Sequence, residues 1–183
     1  MKVLAVSGSL RRGSHNTQLL RAAVEAAPEG VEVELWEGLA DLPLYDQDLD
    51  TTEPPETVRR LREAWGGADA ILFATPEYNG SVPGGLKNAI DWASRPVRES
   101  ALTGKTVSVI SGSTGQFGGM WAQQDLRKIL GTAGARVVGD ELPVSRVHEK
   151  VDHEGRLLDA ELFERLRLVL ETLASEAVPV AVS

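Results

Sequence analysis

Ser7-Gly8-Ser9-Leu10-Arg11-Arg12-Gly13-Ser14-His15-Asn16 separates two different hydrophobic patterns. Before it, Lys2-Val3-Leu4-Ala5-Val6 is a short apolar run, too brief for a helix and bounded by small residues, which predicts a buried strand. After it, Leu19, Leu20, Ala23, Val24 and Ala27 recur at intervals of three and four, the spacing of one helix face. A Gly/Ser-rich loop therefore joins a first strand to a first helix. Such a loop turns backbone N–H groups and the positive end of a helix toward a ligand, and phosphate suits that place.

The loop does not match the common phosphate motifs. The dinucleotide pattern G-x-G-x-x-G fails because Leu10 holds the second glycine position. Gly8 and Gly13 have the spacing of the nucleoside-triphosphate loop, but Ser14 stands where its lysine belongs and His15 where its magnesium-binding hydroxyl belongs. What remains is a hydroxyl-rich loop with Ser7, Ser9, Ser14, Asn16 and Thr17, and Arg11 as a charged fork. That set suits one terminal monophosphate held without metal. Taken alone, the loop also reads as a solvated turn with Ser14 or Asn16 capping the helix.

Length and composition narrow the classes. The chain of 183 residues is expected to form a single domain spanning 1–183, with 42% hydrophobic residues to fill its core. The absence of cysteine excludes thiol nucleophiles, disulfides, iron–sulfur clusters and thiolate zinc sites, and fits a reducing compartment. Nineteen basic against twenty-seven acidic residues leave a net charge of −8, which argues against nucleic acid as a general partner. No apolar run approaches membrane-spanning length, residues 1–10 lack the apolar core of a signal peptide, and the tail at 178–182 is too short to anchor the chain. A cytoplasmic protein without membrane contact is expected.

Along the chain, strands and helices alternate. Val31-Glu32-Val33-Glu34-Leu35-Trp36 alternates apolar and acidic residues, as an edge strand does. Pro54-Pro55 opens a helix bearing Val58, Leu61, Ala64 and Trp65, and Gly66-Gly67 closes it. Ala70-Ile71-Leu72-Phe73-Ala74 is a central strand covered on both faces. A Pro/Gly-rich loop at 75–85 leads to a helix with Leu86, Ile90 and Trp92. Val107-Ser108-Val109-Ile110 is the fourth strand, and a glycine-rich loop at 111–119 leads to a helix with Trp121, Leu126, Ile129 and Leu130. Residues 136–144 form a fifth, broken strand region interrupted by Pro143, and a last helix begins near Asp159. This pattern predicts an α/β fold: a doubly wound five-stranded parallel sheet of order 2-1-3-4-5 with helices on both faces. The loops after strands 1, 3 and 4 then converge on the edge where such sheets bind ligands.

Gly8-Ser9-Leu10-Arg11-x-Gly13-Ser14-x-Asn16, together with the block from Pro76-Glu77-Tyr78-Asn79-Gly80-Ser81-Val82-Pro83-Gly84 through Leu86-Lys87-Asn88-Ala89-Ile90-Asp91-Trp92, resembles the flavodoxin-like NAD(P)H-dependent FMN reductase family, which includes chromate and quinone reductases and some azoreductases. The resemblance runs from Lys2 to about Val144. It implies FMN as a tightly bound cofactor and NADPH or NADH as hydride donor. It implies that Ser9, Arg11, Ser14 and Asn16 hold the FMN phosphate, that Pro76, Glu77, Tyr78 and Asn79 lie along the isoalloxazine ring, and that Ser111, Gly112 and Ser113 approach the flavin from the other side. It also implies a homodimer or homotetramer, and a small-molecule electron acceptor: a quinone, free flavin, azo compound or metal oxyanion such as chromate.

Because the flavin carries the chemistry, no catalytic side chain and no metal ligand is expected. Glu77 is an alternative general acid. His148 and His153 sit in a polar stretch that reads as a solvated turn rather than a metal site, and His15 lies at the loop, touching the ligand or simply at the surface. Two other functions remain open. A flavodoxin-like electron carrier would show an acidic rim, whereas Arg11, Arg12, Lys87, Arg95 and Arg98 lie near the expected site and the acids gather at 41–56. A non-redox phosphate binder could use the same fold. Phe117, Met120 and Trp121, with Trp92, are expected to leave apolar surface for a second copy to cover. Donor and acceptor are expected to share one open face and react in ping-pong order.

Overall fold

The computed structural model describes residues 1–177; the tail at 178–182 falls outside them. In chain order the elements are β1 (Lys2–Ser7), α1 (His15–Glu25), β2 (Glu32–Trp36), α2 (Glu56–Gly67), β3 (Ala70–Thr75), α3 (Gly84–Ala93), β4 (Thr106–Gly112), α4 (Met120–Thr132), β5 (Arg136–Val137), β6 (Leu142–Val144), α5 (Val147–Lys150) and α6 (Ala160–Glu176). The sheet is parallel with order β2-β1-β3-β4-β5, the doubly wound order expected. Every residue of β3 and β4 is buried, as strands covered on both faces require. β2 lies at the edge with Glu32 and Glu34 in solvent, and Glu34 pairs with Lys2 at 2.6 Å.

The expected fifth strand is two short ones. β5 continues the ladder at Thr106–Val107 of β4, and β6 resumes it at Ile110–Gly112. Between them the chain leaves the sheet through Gly139, whose φ of 72° is left-handed. Pro143 sits in β6, at the sheet margin, where its missing N–H breaks no interior ladder.

Strand alternation sends side chains to two cores. Val3, Ala5, Leu72, Ala74 and Ile110 meet α1 and α6 through Leu19, Leu20, Leu166 and Leu170. Leu4, Val6, Ile71, Phe73, Val107 and Val109 meet α2, α3 and α4 through Leu61, Trp65, Leu86, Ile90, Leu126 and Leu130. Trp92 belongs to the second core and is fully buried. Its Nε1 donates to Pro43 O at 2.9 Å and its ring meets Tyr45 edge-on at 4.8 Å. The expectation that Trp92 adds to an exposed apolar patch is therefore corrected: the long loop at 37–55 folds back over it, and no local pattern around Trp92 announces that cover. Among the described residues no helix is long and apolar enough to cross a membrane.

Candidate functional site

Parallel pairing sets the ends of three strands side by side. Ser7 is registered with Ala74, and Thr75 with Ser111, so the loops after β1, β3 and β4 leave the same edge from neighbouring strands. Adjacent strands lie about 4.8 Å apart, so the three loops start within a span of about 10 Å. Gly8 N–H donates to Ala74 O at 2.8 Å, fastening the first loop to the start of the second. A Cβ on Gly8 would lie 2.8 Å from Leu86 Cδ2, so a larger residue in this loop would have to push the end of the Leu86 side chain aside.

Ser14 caps α1, its hydroxyl accepting from Thr17 N–H at 3.3 Å. Ser7 and Thr17 hydroxyls bond to each other at 2.8 Å. The backbone amides of Leu10, Arg12, Gly13, His15 and Asn16 find no acceptor among the described residues. Arg11 and Arg12 have no carboxylate partner there either. A cavity of about 260 Å³ opens beside this loop, lined by Ser7, Ser9, Arg11, Arg12, Thr17 and Arg21, with Glu37 as its one carboxylate. Three guanidinium groups against one acid give this cavity a local excess of positive charge in a chain of net charge −8.

Asn16 is buried and ties the first loop to the third. Its Nδ2 donates to Gly112 O and its Oδ1 accepts from Gly112 N–H, both at 3.0 Å. Its side chain thus braces the two loops, and its main-chain amide is the group left free. Ser111 is fully buried, with its hydroxyl bonded to Gln123 Oε1 at 2.8 Å, so that side chain faces α4 rather than the open edge. Ser113 accepts from Gly115 N–H at 3.2 Å and shapes the third loop. Gly118, at φ 63°, packs so closely that a Cβ would lie 2.7 Å from the Pro143 carbonyl carbon; this seats the loop on β6.

In the second loop, Tyr78 and Ser81 exchange backbone hydrogen bonds at 3.0 and 3.2 Å. Between them Asn79 (φ 54°) and Gly80 (φ 77°) are both left-handed, the form of a type I′ turn, for which Asn-Gly is the preferred pair. Tyr78 is half exposed on this turn. Glu77 is not free in the cleft: its Oε2 accepts from Trp121 N–H at 3.1 Å and Ala122 N–H at 3.2 Å, at the start of α4. Ser81 adds a second tie, donating to Asp125 Oδ2 at 2.7 Å. The Glu77 cap spans 44 residues of sequence, so no local signal could have revealed it.

Outside this edge, Lys87 pairs with Asp91 at 2.7 Å on α3. His15 Nδ1 lies 3.0 Å from Gln18 Oε1, with its ring 6.4 Å from that of His148. His153 is exposed. No cluster of three or more metal-ligating side chains occurs among the described residues. A groove of about 610 Å³ lies between α3 and α4 and reaches toward the opposite edge of the sheet at Thr103 and Gly134.

The model of the NADPH-dependent FMN reductase family matches residues 1–149. The chain belongs to that family. It is 42% identical over 174 residues to an NAD(P)H-dependent FMN reductase of Pseudomonas aeruginosa, covering 94% of this chain and 93% of the relative. It is 41% identical over 169 residues to a quinone reductase of Escherichia coli strain K12, covering 91% and 89%. Among solved structures it resembles FerB, a flavoenzyme NAD(P)H:(acceptor) oxidoreductase from Paracoccus denitrificans, with a TM-score of 0.84 and 32% identity over 97% of this chain and 99% of that one. The protein is an FMN-dependent oxidoreductase.

The reductase's first loop fits the phosphate end of FMN. Five unpartnered amides, the Ser9 and Ser14 hydroxyls and the Arg11 guanidinium are all donors, which a phosphate dianion can accept from and an apolar or cationic group cannot. The cavity beside it, bounded on its far side by residues 35–40, is below the roughly 300 Å³ at which pockets take whole small molecules.

Proposed function

We propose that this reductase takes reducing equivalents from NADPH or NADH and delivers them to small acceptors: quinones, free flavin, azo compounds or oxyanions such as chromate. The observation that carries the reading is the first loop, where free amides and unpaired guanidinium groups stand beside two further loops on one sheet edge. The names of the Pseudomonas and Escherichia relatives support the donor and the quinone acceptor.

Bound FMN supplies the hydride and electron chemistry. Ser9, Arg11 and Ser14, with the amides of the loop, hold its phosphate, and Asn16 contributes its main-chain N–H while its side chain holds Gly112 in place. Pro76, Tyr78 and Asn79 present main chain and one amphipathic ring to the isoalloxazine, with Glu77 securing them from behind. Gly112 and Ser113 close the other side through main-chain atoms, as does Ser111, whose hydroxyl is already taken. Donor and acceptor enter by the same opening and therefore use it in turn.

The test is to purify the full chain with FMN and add NADPH or NADH without oxygen, then menadione, chromate or an azo dye. Bleaching of the yellow protein followed by recovery of its colour with the acceptor is expected. A yellow protein that neither coenzyme bleaches, yet that exchanges electrons with a chemical reductant, is instead an electron carrier.

A further inference from the structure

We propose that Phe117 and Trp121 form the wall that selects flat aromatic acceptors, and that Glu77 is the positioning residue that fixes this wall against the second loop. The inference rests on the reductase reading above and assigns its acceptor selectivity to named side chains. α4 starts after two left-handed glycines, Gly118 and Gly119, and its own N-cap offers no side chain. Its first amides would be left without partners. The Glu77 carboxylate meets two of them, at Trp121 and Ala122, where negative charge also suits the helix dipole. Ser81, on the far side of the type I′ turn, holds Asp125 one helical turn further along. Residues 77–81 are thus fastened to α4 at two points, and any shift of the loop carries Trp121 with it.

Trp121 does not sit in the core. Trp65, Trp92 and Phe73 are completely buried, whereas Phe117 is 54% and Trp121 45% exposed. Their rings lie 5.0 Å apart at 58°, a packed aromatic pair presented to solvent beside the second loop. A Cβ placed on Gly119, between them, would lie 3.2 Å from Ser111 Cβ and 3.7 Å from Glu77 Cβ, which puts the pair at the same edge as the second and third loops. An aromatic pair held rigid at that edge offers a flat reactant a stacking surface and offers a compact, charged reactant nothing.

The experiment uses the full chain loaded with FMN and NADPH as donor, comparing kcat/KM for menadione, a fused-ring quinone, with that for ferricyanide, which cannot stack. Trp121→Ala and Phe117→Ala should each lower the menadione-to-ferricyanide ratio roughly two- to tenfold, the size of one aromatic contact. Trp121→Phe should restore most of it. Glu77→Ala should lower the ratio in the same direction, and Glu77→Gln, which keeps an accepting oxygen, by less. Independently of turnover, the emission of Trp121, obtained by subtracting the Trp121→Phe protein, should become more accessible to acrylamide in Glu77→Ala. Unchanged Trp121 quenching in a folded Glu77→Ala protein overturns the positioning role. Equal loss for both acceptors in Trp121→Ala, or a change confined to oligomeric state, overturns the wall and leaves the reductase reading intact. A wild-type protein that reduces neither acceptor defeats that reading, and the wall with it.

Discussion

At the scale of single residues, charge decides more than shape. Arg11 is one of three guanidinium groups around the cavity beside the first loop, and it has no carboxylate to neutralise it among the described residues. A charge-assisted hydrogen bond to a phosphate is worth about 1.5–3 kcal/mol, so Arg11→Ala should weaken FMN binding roughly ten- to a hundredfold. Titration of the apoprotein followed by flavin fluorescence measures this, and native affinity in the variant would remove Arg11 from the phosphate site. The amides of Leu10, Arg12, Gly13, His15 and Asn16 would remain, which is why the loss should be partial. Arg11 and Ser9 are legible as candidate phosphate donors because the loop's residue types are donors in any conformation. Asn16, Ser111 and Glu77 were readable only as polar residues at the right edge. Their partners Gly112, Gln123 and Trp121 lie 96, 12 and 44 residues away, and sequence spacing carries no information about such contacts.

At the scale of elements, helix ends and strand periods were legible, and the long loop was not. The alternation in β2 and the unbroken apolar runs of β3 and β4 come directly from how many faces each strand buries. The loop at 37–55 has no period, so nothing local could show that Pro43 receives the Trp92 indole N–H and the Asn88 amide. Asp159, near which the sequence predicts the last helix to begin, is the N-cap of α6, accepting from Leu162 N–H at 3.0 Å. That N–H, with Lys150 3.4 Å away, holds the Asp159 carboxyl below its ordinary pKa of 3.8. A depressed folded-state pKa gives stability that is complete above the ordinary carboxylate value and is lost as pH falls through the folded value. Asp159→Ala should therefore cost about 1 kcal/mol at neutral pH. The deficit relative to wild type should shrink as pH falls below the ordinary carboxylate value and the wild-type carboxylate protonates. Asp159→Asn keeps a capping oxygen and should lose less at neutral pH. Urea unfolding at pH 7 and in acid separates the three proteins, and a deficit that stays constant with pH would show that the Asp159 charge plays no part.

At the scale of the whole molecule, three loops share one edge of the sheet, and two further surfaces are open to a second copy or a ligand. The α3–α4 groove is bordered by Lys87, Asp91, Arg95 and Lys128, a mixture of charges that two copies can pair across a twofold axis, and Val97 is exposed at its margin. With Trp92 withdrawn into the core, this groove is the better place for a second copy, leaving Phe117 and Trp121 at the mouth of the site. Light scattering at micromolar concentration should show a dimer or tetramer; a single species near 19.7 kDa would rule out assembly. The kinetics follow from the same arrangement. The loops after β1, β3 and β4 start on three adjacent strands, and Asn16–Gly112, Glu77–α4 and Ser81–Asp125 tie them together, which favours the single shared opening proposed above. On that proposal a nicotinamide coenzyme and an electron acceptor occupy the opening at different times, and each should compete with the other for the form of the enzyme it does not react with. Initial rates over a grid of NADPH and menadione concentrations should give parallel double-reciprocal lines, with inhibition by excess menadione that rising NADPH relieves. Because Phe117 and Trp121 stand at the mouth and not in the phosphate cavity, Trp121→Ala should change the slope against menadione while the lines stay parallel. Lines that intersect in the wild type would mean that both reactants are bound together, and a single shared opening could not accommodate them.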